Sequence, residues 1–236
     1  MKLPSRGYVL LTLAVLTGGC ARPTPPASVS VPPTVAAPLP TVAAKAPEAW
    51  KPLFDGKSLD GWKSANFGGE GEVVVKDGAI VMERGNDMTG ATYARDDFPK
   101  MDYEVSLEGK KLQGNDFFCT TTFPVADSHC SLVMGGWGGT VVGLSSIDGR
   151  DASENATNSQ HTFNQDQWYR IRIRVTKDRI QAWIDDKLVV NADTAGKKIT
   201  IRGECELSQP FGVCTWRTTG AVRNMRVRPL NAEELK

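Results

Sequence analysis

The stretch from Gly143 to His161 gathers Ser145, Ser146, Asp148, Arg150, Asp151, Glu154, Asn155 and His161, the richest polar segment of the chain. Glycosidic cleavage usually needs one carboxylic acid to protonate the leaving oxygen. A second group, acting as nucleophile or base, stands roughly 5–9.5 Å away. Asp148, Asp151 and Glu154 are close enough in sequence for two of them to converge from one loop. Glu204 and Glu206 are a second option, because residues two apart in a strand share a face. His129 and His161 are the only histidines and the candidate general bases. The bland alternative for the acids is a solvated loop, and for each histidine a satisfied structural role. Asp148, Asp151 and Asn155 offer oxygen ligands that would suit calcium, although their spacing matches no EF-hand loop, so no cofactor is expected. Asn155-Ala156-Thr157 fits a glycosylation sequon, which implies surface exposure.

Just upstream, Trp137 stands alone in Gly135-Gly136-Trp137-Gly138-Gly139. Flanking glycines bare an indole face, and a pyranose ring stacks its apolar C–H face on such a surface while polar neighbours take the hydroxyls. The competing reading packs Trp137 between sheets and makes the glycines bulges. The chain shows no Ser-His-Asp elbow, phosphate-cradling glycine loop or H-E-x-x-H helix.

Cys119, Cys130, Cys205 and Cys214 allow three disulfide pairings, and the spacing favours Cys119–Cys130 and Cys205–Cys214, each flanking a turn. A four-thiolate zinc site is the rival, but the intervals lack a C-x2-C knuckle. Free buried thiols are the third possibility.

The disulfide expectation follows from compartment. Lys2 and Arg6 precede an apolar run, Tyr8 to Leu16, of signal-peptide length. It leads into Leu16-Thr17-Gly18-Gly19-Cys20, which resembles a bacterial lipobox with Cys20 as the acylated residue; plain cleavage after Ala21 is the alternative. Residues 1–20 are thus expected to be a lipoprotein-type signal peptide. Residues 21–48, rich in Pro and Ala, read as a linker leaning toward extended polyproline II. Both place the domain, residues 49–236, in the cell envelope, outside the cytosol and in contact with a membrane through the lipid alone. With 28 basic and 27 acidic side chains, the net charge of +1 provides no footprint for nucleic acid.

The elements that must position these residues read as short strands. Trp168 to Val175 alternates Ile171, Ile173 and Val175 against Arg170, Arg172 and Arg174. The arginine side reads as a solvated outer face. Arg179–Ile184, a polar turn at Asp185-Asp186-Lys187, and Leu188–Val190 form a hairpin pattern. Ala221 to Arg228 alternates again before Pro229. Weaker candidates are Glu72 to Lys76, Ala79 to Glu83, Met101 to Leu107, Phe117 to Phe123 and Ser131 to Met134. This pattern, with glycine-rich turns and no helical period, predicts an all-β antiparallel sandwich.

Several of these segments carry a family likeness. Leu53-Phe54-Asp55-Gly56-Lys57-Ser58-Leu59-Asp60-Gly61-Trp62, Val75-Lys76-Asp77-Gly78-Ala79-Ile80, Phe98-Pro99-Lys100-Met101-Asp102-Tyr103-Glu104-Val105, Gln167-Trp168-Tyr169-Arg170-Ile171 and Val222-Arg223-Asn224-Met225-Arg226-Val227-Arg228-Pro229-Leu230 resemble, in order, motifs of the 3-keto-disaccharide hydrolase domain. That family belongs to the concanavalin A-like lectin/glucanase group. The resemblance implies a jelly-roll of two curved antiparallel sheets, a carbohydrate partner and action on oxidised disaccharides. A 3-keto sugar has an acidified proton beside its ketone, so elimination by a base such as His129 or His161 is an alternative to hydrolysis. The middle of the chain departs from the family pattern. Asn115-Asp116-Phe117-Phe118 stands where the family reads N-S-G-I, and Cys130 to Trp137 replaces a Glu-bearing strand. The candidate substrate-binding residues are Trp137, Asn115, Asp116 and Asn155. The rival to an enzyme is a binding module that kept the fold and lost the chemistry.

Overall fold

The computed structural model describes residues 50–235. Cys20, the expected signal peptide and the expected linker lie outside the described residues. The domain is nearly all strand: β1 (Lys51–Pro52), β2 (Trp62–Ser64), β3 (Val73–Lys76), β4 (Ala79–Met82), β5 (Met88–Tyr93), β6 (Tyr103–Gln113), β7 (Thr120–Val125), β8 (Ser128–Gly135), β9 (Val141–Ser145), β10 (Ser159–Gln160), β11 (Trp168–Thr176), β12 (Arg179–Ile184), β13 (Lys187–Asp193), β14 (Gly212–Trp216) and β15 (Thr219–Pro229).

These make two antiparallel sheets, as the alternating patterns predict. One runs β13-β12-β11-β6-β15-β4-β3, with β1 added alongside β15; the other runs β10-β9-β8-β7-β14-β5-β2. Side chains alternate across a pleated strand, so each sheet sends one set of residues inward. Ile171, Ile173, Val175, Val105 and Leu107 come from the first sheet, and Phe123, Leu132, Met134, Leu144 and Val213 from the second; all are buried in one shared core.

The arginine stripe is only in part a solvated face: Arg170 is exposed and pairs with Asp186, whereas Arg172 and Arg174 turn onto a buried carboxylate. Glu104, 2% exposed, pairs in register with Arg174 on β11 and Arg228 on β15. Its carboxylate accepts from Arg174 at 2.9 Å, Arg228 at 3.1 Å and Arg172 at 3.2 Å. Arg172 also lies 3.9 Å from the ring centre of Trp183, contributed by β12. A second carboxylate, Glu234, closes the cluster from the C-terminal turn, at 2.7 Å from Arg228 and 3.0 Å from Arg174. Removing one partner from such a buried cluster leaves uncompensated charge, at a cost of about 3–5 kcal/mol.

The expected disulfides are not formed: Cys119, Cys130, Cys205 and Cys214 are all buried free thiols. For Cys119–Cys130 the register is decisive. Cys130 lies opposite Phe123, four residues along the chain from Cys119. At about 3.3 Å per residue the offset is roughly 13 Å, beyond the reach of an S–S bond. Cys205 and Cys214 do pack together, but as free thiols, and Cys214 Sγ donates to the carbonyl of Thr120 at 3.7 Å. The nearby Cys214 lowers the pKa of Cys205, while Cys205 together with burial holds Cys214 well above the ordinary thiol range. Burial, with a smaller contribution from the nearby Cys205, pushes Cys130 up to about 12.

The pairing with Arg228, the backbone N–H of Asn231 and the charge of Arg174 hold the Glu234 carboxyl at about 2, against an ordinary 4.5. A depressed carboxylate stabilises the fold fully above its unfolded pKa and loses that contribution as pH falls toward its folded one. Urea unfolding midpoints should therefore decline between about pH 4.5 and pH 2, and Glu234→Gln should flatten that slope. An identical slope in the variant would remove Glu234 from the account.

Candidate functional site

A cleft of about 210 Å³ opens on the outer face of the seven-stranded sheet. Alternation explains its floor. Leu132 and Phe123 point to the core, so Thr120 and Thr122 on β7, Ser131 and Val133 on β8 and Ser145 on β9 share the opposite face. Thr120, Ser131, Val133 and Ser145 line the cleft. The floor is thus mainly hydroxyl, and a bond of 2.8 Å joins Ser131 to Thr122 beside it.

The walls come from loops. Trp137 follows β8 in a tight turn, Gly136–Gly139, and Asp116 and Phe117 precede β7. Trp216 ends β14, while Arg202, Glu204 and Cys205 belong to a 3-10 helix, Gly203–Ser208, and its N-cap. Two indoles and a phenyl ring therefore stand around hydroxyls, with one cation and two carboxylates.

Trp137 is 45% exposed, so the reading that seals it between the sheets is excluded. Its backbone lies at φ 49°, ψ 53°, in the left-handed region that bulky L-residues avoid. Such strain persists only where the surroundings impose it, and it gathers at functional positions. Here the surroundings are Asn115 and Asp116. Asn115 Nδ2 donates to the carbonyl of Gly138 at 3.0 Å. Asp116 Oδ2 accepts from the N–H of Gly138 at 3.2 Å, and Oδ1 from the N–H of Phe117 at 2.8 Å. Gly139 has φ +108°, and a Cβ there would stand 2.5 Å from Asn115 Oδ1, so the clamp needs glycine. Asp116 lines the cleft; Asn115 acts on the turn that carries Trp137.

The other candidates are placed variously. Asp151 does not line the cleft but reaches it through Arg202, whose Nη1 donates to Asp151 Oδ2 at 2.8 Å. Arg202 Nε stands 2.5 Å from Glu204 Oε1, and the guanidinium carbon lies 5.5 Å from the ring centre of Trp137. Asp148 points elsewhere, accepting from the N–H of Lys198 at 2.9 Å and pairing with Lys197 at 3.1 Å; these partners lower its pKa. Glu154 is exposed on the same loop. Asn155 staples that loop: Nδ2 donates to Leu144 O and Asp151 O, both at 2.7 Å, and Oδ1 accepts from Thr157. Asp148, Asp151 and Asn155 thus spend their polar atoms on separate partners. Among the described residues no three His, Cys, Asp or Glu side chains group to hold a metal ion.

Neither histidine lines the cleft. His129 shares the outer face of β8 with Ser131, about 7 Å further along the strand. His161 packs against Phe163 at 4.6 Å and Tyr169 at 6.0 Å. Burial lowers the pKa of both; nearby Lys100 adds to this for His129, and Lys187 for His161. Glu204 and Glu206 occupy the 3-10 helix, not a strand, so they do not share a face, and only Glu204 turns to the cleft. Arg202 and Trp216 were not singled out from sequence. Thr120 and Thr122 carried no signal of their own, because Thr121 between them makes a run of three threonines with no alternation.

Strain and exposure together imply that the Trp137 ring contributes little to stability. Trp137→Gly should change unfolding free energy by less than about 1 kcal/mol, because relief of the left-handed strain offsets lost contacts. Replacing the core residue Trp62, 6% exposed, with Ala should cost about 3–5 kcal/mol. Denaturant unfolding of the two variants checks this, and equal losses would contradict it.

Comparison with known proteins agrees with this architecture. Among solved structures, the chain resembles the apo Crh5 transglycosylase, at 15% identity and TM-score 0.53, covering 80% of this chain and 86% of that one. It also resembles the carbohydrate recognition domain of Emp46p in a point-mutant form, at 10% identity and TM-score 0.51, covering 77% and 95%. Likeness at such identities concerns the fold. No curated protein sequence matches the chain significantly. Residues 49–228 match the 3-keto-alpha-glucoside-1,2-lyase-like domain, and the chain is a member of that family.

Proposed function

We propose that the cleft binds a sugar ring on the indole of Trp137 and cleaves 3-keto glucosides by elimination, with Glu204 as the base. The exposed Trp137, held in a strained turn above a hydroxyl floor, is the observation that carries the reading. A cleft of about 210 Å³ falls below the roughly 300–1,000 Å³ of sites for drug-sized ligands, which suits one ring.

The ketone at C3 acidifies the proton on C2. Glu204 takes that proton, the C–H electron pair becomes the second bond between C1 and C2, and the C1–O bond breaks. The aglycone oxygen leaves with those electrons and takes up a proton from solvent. This route needs one base, whereas hydrolysis usually needs two spaced carboxyl groups. Asp116 is the other acid lining the cleft, but each of its oxygens already accepts a backbone N–H. Elimination is therefore the better match, and hydrolysis the lesser one.

The ion pair between Glu204 and Arg202 favours a second reading, a sugar-binding module without turnover. Incubation with 3-keto-trehalose and with trehalose separates the two. Release of glucose together with an unsaturated keto sugar from the first, and none from the second, supports the enzyme. Glu204→Gln should then lower turnover by about 10²- to 10⁴-fold with binding retained. Trp137→Ala should weaken binding about tenfold. Binding without product supports the module, and neither binding nor product defeats both.

The setting is part of the proposal: an exported domain tethered through Cys20, supported by the signal-like residues 1–20 and the Pro-rich segment after them. Expressed in a bacterium fed labelled palmitate, the protein should incorporate label, and Cys20→Ala should not. An unlabelled wild-type protein recovered in the medium would favour plain secretion.

A further inference from the structure

Arg202 stands beside the exposed indole of the cleft. It and Trp137 line the same cleft, and its guanidinium carbon lies 5.5 Å from the indole ring centre. The group is held by two carboxylates of different rigidity. Asp151 is fixed, since its Oδ1 accepts from the N–H and the hydroxyl of Ser153 at 3.0 and 2.7 Å while Oδ2 takes Arg202. Glu204, with 38% of its side chain exposed, takes the Nε side at 2.5 Å. Arg202 is the N-cap of the 3-10 helix, and 36% of its side chain is exposed. The arginine thus has a fixed anchor, a looser partner and an open side toward solvent.

We infer that Arg202 caps the Trp137 indole in the ligand-free protein, and that a sugar displaces it toward Asp151, uncovering the ring and releasing Glu204 in one movement. This rests on the reading of the cleft as a sugar site. It makes Arg202 a positioning residue that acts through Glu204 and Trp137. The free carboxylate then appears only once a ring is stacked, which ties base activation to occupancy. The contacts to be broken are weak ones. A part-exposed cation–π contact and a part-exposed ion pair are each worth about a twofold to fivefold factor.

Two readouts test the cap. The first is calorimetric titration with trehalose, which lacks the ketone and is not consumed. Arg202→Gln should bind it about threefold to tenfold more tightly than wild type. Arg202→Lys should fall between, because it keeps the charge but not the planar stack. On 3-keto-trehalose, Arg202→Gln should lower KM without lowering kcat, a split that a merely structural loss would not produce. The second readout needs no sugar. Acrylamide quenching of Trp137, taken as the difference between each protein and its Trp137→Phe partner, should rise in Arg202→Gln. Weaker or unchanged trehalose binding by Arg202→Gln would make the guanidinium a ligand or a bystander and overturn the cap. Unchanged quenching would overturn it as well. A wild-type protein that binds no disaccharide, together with increased quenching in the variant, would remove the sugar reading and leave the cap standing.

Discussion

The carboxylate of Glu104 is shared by three guanidinium groups at the middle of the larger sheet, and the registers on both sides of β6 meet there. Arg174 is its partner on β11 and Arg228 its partner on β15. A slip of one residue on either side would turn the arginines to the core and the isoleucines to the outer face, since strand faces alternate. The cluster therefore gives directional support to what the apolar core enforces by area alone. Glu234 adds a tie to the C-terminal turn through the same arginines. With the first sheet held in register, its inward face is a continuous apolar floor on which the second sheet rests.

The second sheet is freed by that arrangement to use its other face. Inward residues of β7, β8 and β9 satisfy the core, and the outward ones are hydroxyls and small side chains that pack under loops. Into that surface the chain sets an indole whose backbone conformation is unfavourable, and it spends two side chains, Asn115 and Asp116, on keeping it there. A buried anchor for the fold would not need such treatment. On the reading proposed above, the arrangement presents a surface to a sugar ring, and membership of the 3-keto-alpha-glucoside-1,2-lyase-like family gives that ring an identity to test.

The cysteines illustrate how a correct premise about spacing can still mislead. Cys119 and Cys130 do flank one hairpin, β7 and β8, but hairpin partners are set by register, and Cys130 lies opposite Phe123. Cys205 and Cys214 meet because the 3-10 helix folds down on β14, packing both into a small apolar group with Met88. They remain free thiols, with the acidity of one raised at the expense of the other.

Strands with one face in the core and one in solvent or ion pairs announce themselves by alternation, which is why Trp168 to Val175, Arg179 to Ile184 and Ala221 to Arg228 were legible from the chain alone. So was Trp137 as a bared aromatic, because its glycine neighbours act locally. Strands β5 and β9, buried at every residue, show no period and were not legible, whereas β4, just as buried, was legible within the Val75 to Ile80 motif. The same covering hid the cleft. Its floor is assembled from β7, β8 and β9, and its walls from segments near residues 116, 137, 202 and 216. Glu204 could be named from sequence as an acid, but its place beside Arg202 and Trp137 depends on a short 3-10 helix packed across a sheet. Local periodicity determines which residues face which way; only long-range packing decides which of those faces come together.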